Sequence, residues 1–439
     1  MTAIRGASAL ALAAALVFAG CSAPVGHGQD PFGDPIGWEG GYWYNDPIHV
    51  TPGDGYNQSE RAAVVSRTMA RVERIRDLEF RESVPVEVVS RAEYRNQSGG
   101  PSAPAENDTY RAWNDQVWEA LFLVGEDRHF ADVYGDLLGA SVQGYYSPSE
   151  DAIVIVSDSD TPTIDRQTLS HELVHALQDQ HFSFGPDAPT QDQQLAHQGL
   201  TEGDANYVMQ RYEQRCQNRW DCIPLPPAEG GGGGGRDFPL GVFVTIYQPY
   251  ASGPSFVGAL RDRGGWDAVD AAYGRFPVST EQVIHPQTYP DERPVSVTVP
   301  DRSRNGWTRF DVDPAADTVG EASIYAMMQA NGQTPGHDTY DYDHPISAGW
   351  AGDAVYPYRN GDRYGYVWRT AWDTESDARE FLDAYRGVLR AHGATRDGDV
   401  YVIPDSDPFG DAFRVTRSGT TVTVVNAPTR DALDDVHPR

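Results

Sequence analysis

The sequence contains no lysine. All 34 basic residues are arginine, set against 64 acidic residues, for a formal net charge of −30 over 439 residues. It has only three cysteines, and beyond the first twenty residues it has no long apolar run, with a mean hydropathy of −0.53. That hydropathy excludes a polytopic membrane protein. The charge excludes a nucleic-acid binder working through a basic footprint, because a net-acidic surface repels phosphate. The 10 Trp, 23 Tyr and 15 Phe exclude a disordered acidic polymer and supply ample material for a core. The length fits two or three domains, or one large catalytic unit with an appendage.

Carboxylates hold water and hydrated cations at high salt, and molar salt shrinks the Debye length to roughly 3 Å, screening the self-repulsion. Dropping lysine also removes long apolar stems from the surface. The composition reads as adaptation to a salt-rich solvent; the alternative is an acidic protein of an ordinary habitat.

Residues 1–20 read as an export signal, with Arg5 followed by an apolar run from Ala7 to Gly20 broken by Ser8. That run is too short for a permanent membrane span. Phe18-Ala19-Gly20-Cys21 resembles a lipobox, with Phe18 in place of the usual Leu, so Cys21 is the expected lipidation site; the alternative is an ordinary signal peptide cut nearby. Residues 21–40 then form a tether to the membrane. This places the protein on the cell surface, with a lipid-anchored membrane contact and no nucleic-acid partner. Cys216 and Cys222 remain as an even pair, for which a disulfide worth roughly 2 kcal/mol is the natural reading and metal binding by two thiols the weaker one. Sequons at Asn57, Asn96 and Asn107 fit an outward-facing domain.

Helical spacing covers 59–80, alternation predicts a strand over 84–89, and an amphipathic helix follows over 110–123. Residues 142–146 and 152–156 read as a hairpin, with 152–156 a plausible sheet edge. Helices follow from 163–165 to about 180 and over roughly 200–215. The six glycines Gly230–Gly235 make a flexible excursion rather than a boundary. From about 346 the pattern changes to short strands around one helix over 377–392. The predicted architecture is α+β: a catalytic domain at 41–345 with an active-site helix pair and a small mixed sheet, and a small α+β domain at 346–439.

The segment with the clearest chemistry is Ser170-His171-Glu172-Leu173-Val174-His175. On an α-helix His171 and His175 lie about 40° apart and about 6 Å along the axis, so both imidazoles can grip one ion. Glu172 projects about 100° further round, where it can take a proton from a water that the metal activates. With 12 His in the chain, a chance match is expected on the order of once in a hundred such chains. The alternative is two surface histidines on an exposed helix.

Zinc needs a third protein ligand. His181 has the metzincin spacing, but Gln178 stands where that pattern needs Gly, and on a continuing helix His181 lies about 120° away from His175. Glu202, in Thr201-Glu202-Gly203-Asp204-Ala205-Asn206 at the start of the next helix, is the better candidate. Asp179 and Asn206 lie one turn beyond His175 and Glu202, placed to orient ligands; a solvated helix-end role competes for Asp179, and Asp204 is a further candidate.

These motifs, together with Ser279-Thr280-Glu281-Gln282-Val283-Ile284-His285-Pro286, Asp317-Thr318-Val319-Gly320-Glu321 and Gly349-Trp350-Ala351-Gly352-Asp353, resemble a gluzincin-like family of exported zinc metallopeptidases. Haloarchaeal surface lipoproteins form one branch of it. The resemblance covers about residues 60–425 and implies zinc on His171, His175 and Glu202, with Glu172 as general acid/base. An enzyme of this type also needs a donor for the oxyanion, typically worth ~3 kcal/mol. His285 ranks first, then Tyr250, with Tyr247 and Tyr289 behind; a structural turn at His285-Pro286 competes, and Glu321 reads as structural. The expected function is hydrolysis of protein or peptide substrates, with the strand at 152–156 available to pair with substrate. Two rivals remain: a non-catalytic surface lipoprotein with a structural or vestigial zinc site, and a zinc amidase acting on cell-surface material.

Overall fold

The computed structural model describes residues 35–51, 55–97, 107–139, 142, 144–159, 161–225 and 238–439. The segment read as an export signal (1–20), Cys21, most of the stretch read as a tether (21–40) and the glycine run Gly230–Gly235 lie outside the described residues. The fold is mixed α and β, with eleven helices and three sheets among the described residues.

The chain opens with a two-stranded ribbon, β1 (Trp38–Glu39) and β2 (Tyr42–Trp43), lying on helix α1 (Gln58–Arg76). Asn57 caps α1 by accepting from the Ser59 and Glu60 N–H groups, and Asn107 caps α3 (Asp108–Ala120) through Thr109 N–H. Two of the three sequon asparagines are therefore helix caps. Strand β3 (Val86–Val89), helix α2 (Arg91–Gln97), helix α4 (Phe130–Gly139) and the hairpin β4 (Gly144–Ser147) and β5 (Ala152–Val156) lead to helix α5 (Arg166–His181), which carries the histidine motif. The strand order is β3-β5-β4, with β3 parallel and β4 antiparallel to β5. This corrects the expectation for residues 152–156: β5 is central and buried along its length, and β4 is the edge strand beside α5. A continuous Ala-Ile-Val-Ile-Val run already carries the mark of a strand covered on both faces.

Helix α6 (Gln191–Cys216) starts nine residues before the expected helix, so Glu202 lies inside a long helix rather than at its start. Its first turns are polar yet buried, with Gln191 and Asp192 at 3% and 1% exposure. That inversion hides the helix from a reading based on apolar spacing. Helix α7 (Leu240–Ala272) runs alongside α6 and is interrupted by non-helical Gly264 and Gly265. Short helix α8 (Thr280–Ile284) and helix α9 (Gly320–Ala330) complete this layer. Cys216 and Cys222 form a disulfide at the end of α6.

The C-terminal sheet has seven strands in the order β6-β7-β8-β12-β11-β10-β9, all antiparallel. They are β6 (Thr308–Arg309), β7 (Trp350–Asn360), β8 (Arg363–Trp372), β9 (Thr395–Asp397), β10 (Val400–Val402), β11 (Ala412–Ser418) and β12 (Thr421–Ala427), with helix α10 (Glu375–Ala391) after β8 and α11 (Leu433–Val436) at the end. The sheet draws its edge strand from before residue 346. Trp350, Trp368 and Trp372 are buried in one apolar cluster with residues of α3, α9 and α10. Among the described residues, no helix is long and apolar enough to cross a membrane.

Three buried carboxylates link this sheet to the helices and two of the helices to each other. Asp317 accepts from Gln191 N–H at the start of α6, and Asp353 accepts from Val319, Gly320 and the Trp350 indole. Asp192 accepts from the Thr280 N–H and hydroxyl. A Cβ on Gly320, which sits at φ +77°, would fall 1.9 Å from Asp192 Oδ1, so the close approach needs glycine. The motifs at 279–286, 317–321 and 349–353 thus interlock as one scaffold under α6.

Candidate metal centre

Asp165 caps α5 through Gln167 and Thr168 N–H, fixing where the helix begins and hence the azimuth of His171 and His175. Glu202 arrives from α6. Its Oε2 lies 3.2 Å from His171 Nε2 and 3.4 Å from His175 Nε2, and the two Nε2 atoms are 3.0 Å apart. Donors about 2.0–2.1 Å from a tetrahedral ion stand roughly 3.3 Å from one another. Two imidazoles and one carboxylate at this spacing fit a divalent cation with an open fourth position. Three other groups could hold a cation among the described residues (Glu39, Glu73 and Glu79; Glu119, Glu126 and Asp411; Glu281, Glu292 and Asp373), but all their donors are carboxylates. Only the α5–α6 group offers the nitrogen donors that borderline ions favour.

Two contacts bring α6 to this position. A Cβ on Gly203 would fall 2.6 Å from the Gly253 backbone, so α6 and α7 touch main chain to main chain next to Glu202. On the following residue, fully buried Asp204 accepts from Arg76 of α1 and from the Tyr273 hydroxyl at 2.9 Å. The sequence Glu202-Gly203-Asp204 therefore combines a ligand, a close approach and a buried ion pair.

His175 is oriented by Gln178, not by Asp179. Gln178 Nε2 donates to the Thr201 carbonyl at 2.9 Å, which leaves Oε1, 2.9 Å from His175 Nδ1, as the acceptor. With a cation bound, His175 would keep its proton on Nδ1 and present the lone pair of Nε2 to the cluster. With protein groups alone, burial disfavours the imidazolium, yet the Glu202 carboxylate outweighs it and lifts His175 to about 9. Burial would raise Glu202, but His175 and His171 hold it well below the usual carboxylate range. Such mutual stabilisation is what a cation would replace. Asp179 accepts from the Tyr146 hydroxyl at 2.8 Å. Asn206 is 9% exposed, and its Nδ2 lacks a protein partner.

Glu172 stands outside the cluster, with Oε2 accepting the Tyr146 N–H of β4 at 2.9 Å. A cavity of about 40 Å³ beside it is lined by Gly144, Ile153, Ile155, Thr168 and Leu169. His181 is turned away, its Nε2 bonded to the Glu79 carbonyl at 2.6 Å, and burial lowers its pKa.

His285, ranked first as oxyanion donor, ends α8 and directs Nε2 to Glu321 Oε1 at 3.0 Å. Burial would lower its pKa, but fully buried Glu321 raises it to about 8. Thr288 N–H and hydroxyl both bond its carbonyl, so the segment is a structural turn. Tyr250 of α7, ranked second, lies beside the cluster. Its ring stacks on His171 with centroids 6.3 Å apart and planes 18° apart. Burial and the neighbouring Glu202 and Glu172 carboxylates hold its phenol well above the usual range, so it stays a proton donor. Gln178 and Tyr146 went unnoticed in the sequence as site residues, because their roles depend on α6 and β4, which only packing brings near.

These features define a mixed α/β protein with a two-imidazole, one-carboxylate centre between two helices. A family model described as a domain of unknown function (DUF8575) matches residues 308–437, the span from β6 through α11. The match covers the C-terminal sheet and not the helices of the centre. No curated protein and no solved structure matches the chain.

Proposed function

We propose that the protein is a zinc-dependent peptidase of gluzincin type, held at the outer surface of its membrane and acting on protein or peptide chains. One observation carries this reading: the donor atoms of His171, His175 and Glu202 converge at 3.0–3.4 Å while Glu172 stands beside them unligated. When bound by those three residues, zinc would polarise a scissile carbonyl and make a water acidic enough to lose a proton near neutral pH. Glu172 then acts as general base and acid. Its Oε2 is held by Tyr146 N–H, so Oε1 takes the proton of the attacking water and passes it to the leaving amine. Tyr250, protonated and stacked on His171, is the donor for the developing oxyanion, a contribution of about 3 kcal/mol. The backbone of edge strand β4 faces the same space, and by the two-residue alternation Gly144 points the same way as Tyr146, offering its amide to an extended substrate. The Cys216–Cys222 disulfide supports an oxidising, exported setting, in line with the export signal and Cys21.

Metal analysis of the secreted soluble domain, paired with casein hydrolysis in molar salt, tests the proposal. One zinc per chain is expected, lost in Glu202→Ala, and hydrolysis should stop with a chelator. Glu172→Gln should keep the zinc and lose hydrolysis by about 100-fold or more. Undiminished hydrolysis in that variant would overturn the assignment.

A further inference from the structure

An aromatic file runs outward from the metal centre along one face of α7. Tyr250 stacks on His171, Tyr247 on Tyr250 with centroids 5.9 Å and planes 13° apart, and Phe243 on Tyr247 at 5.3 Å and 18°. Phe238 continues it at 5.4 Å, and Tyr340 lies edge-on to Tyr247 at 5.0 Å. The neighbouring face of α7 is ordinary core: Val244 and Ala251 pack with Tyr325 and Tyr342. Among the described residues the outer end of the file is open, with Phe238, the adjacent Leu240 and Tyr340 at 38%, 40% and 44% exposure. A stripe that starts at a metal centre and ends in solvent on a chain of charge −30 has a physical use. Molar salt screens ionic recognition, whereas burial of aromatic surface is strengthened by salting-out ions.

We propose that this file is an extended substrate subsite that selects aromatic or large apolar side chains a few residues from the scissile bond. The inference rests on the peptidase reading and names its substrate class: unfolded or extended chain rich in such residues. Phe243 and Tyr250 are seven residues apart, roughly 10 Å of helix axis. An extended peptide rises about 3.3 Å per residue, so the preference should fall about three residues from the cleaved bond. Stacking on rings already in register costs little ordering, which favours affinity over turnover.

The test uses zinc-loaded protein and fluorescein-labelled nine-residue peptides of Ala, Gly and Ser in which a single Phe is moved stepwise. Anisotropy with the Glu172→Gln variant reads binding, and cleavage by the parent protein maps the scissile bond. Phe at one or two neighbouring positions should bind about tenfold tighter than Ala there, appearing in KM rather than kcat. The preference should vanish in Tyr340→Ser, at an exposed position where folding is not at stake, and in Tyr247→Ala, and return in Tyr247→Phe. Equal binding of Phe and Ala peptides would overturn the inference, as would a preference that survives Tyr340→Ser combined with Tyr247→Ala. Selective binding without any cleavage would uphold the subsite and sink the peptidase reading, which separates the two failures.

Discussion

Replacing Gln178 with leucine is the sharpest probe of how the centre is held. Gln178 is 2% exposed and bridges two helices, accepting a hydrogen bond from His175 Nδ1–H and donating to the Thr201 carbonyl next to Glu202. Leucine fills nearly the same volume but supplies neither bond. The Thr201 carbonyl and the imidazole N–H are then left without those partners, at about 1–3 kcal/mol for each buried group left unsatisfied. Two such groups give at most about 2–6 kcal/mol of lost stability, less whatever solvent and the helical bond open to the Thr201 carbonyl within α6 recover. The imidazole also loses the contact that fixes its tautomer and azimuth, which typically weakens metal binding 10- to 100-fold, about 1.4–2.8 kcal/mol. Gln178→Glu separates the effects: a carboxylate still accepts from Nδ1 but cannot donate to Thr201. It should lose stability and keep zinc affinity at or above the parent value. Competition with a chromophoric chelator gives the affinity, and urea unfolding of the metal-free proteins gives the stability. If Gln178→Leu lost stability as expected yet bound zinc as tightly as the parent, the orienting role would be refuted.

Gly203→Ala should force α6 from α7, because the new methyl meets the Gly253 backbone at 2.6 Å; about 1–3 kcal/mol and weaker zinc binding are expected. Gly199→Ala, whose nearest neighbours are atoms of the Val283 side chain, should cost less in the same melts, and equal costs would count against the backbone contact. Arg76→Met would strand the Asp204 carboxylate with Tyr273 as its remaining partner, a loss of about 3–5 kcal/mol by urea unfolding; a change under about 1 kcal/mol would contradict the buried pair. Burial raises Asp192 and Asp317 to about 7 and Asp353 to about 6. The folded protein therefore holds protons that the unfolded chain releases near pH 4, so these groups favour folding on the acid side, and stability falls as pH rises from about 4 to about 7. Metal-free protein at fixed molar salt should unfold at lower urea at pH 8 than at pH 5.5, and Asp192→Asn should narrow the gap; an unchanged gap would exclude that carboxylate as a source.

The sequence alone was enough to establish the local things. Period and spacing put His171, Glu172 and His175 on one helix, because that geometry is internal to a few turns of chain. The parallel and antiparallel partners of residues 144–156 were half legible, since alternation marks a strand but not which neighbour it takes. The charge and the missing lysine depend on no contact at all. Everything that completes the centre comes from elsewhere in the chain. Glu202 prevails over His181 because Gly203 lets α7 approach and Arg76 fixes Asp204, while the end of α5 carries His181 to the Glu79 carbonyl. Gln178 rather than Asp179 bonds His175 Nδ1, held by the Thr201 carbonyl of α6, and Tyr250 lies against His171 because α7 packs along α6, a placement that periodicity within α5 cannot show. Residue spacing describes one helix at a time, whereas the meeting of three donors depends on how helices far apart in sequence pack, and only the tertiary structure decides that.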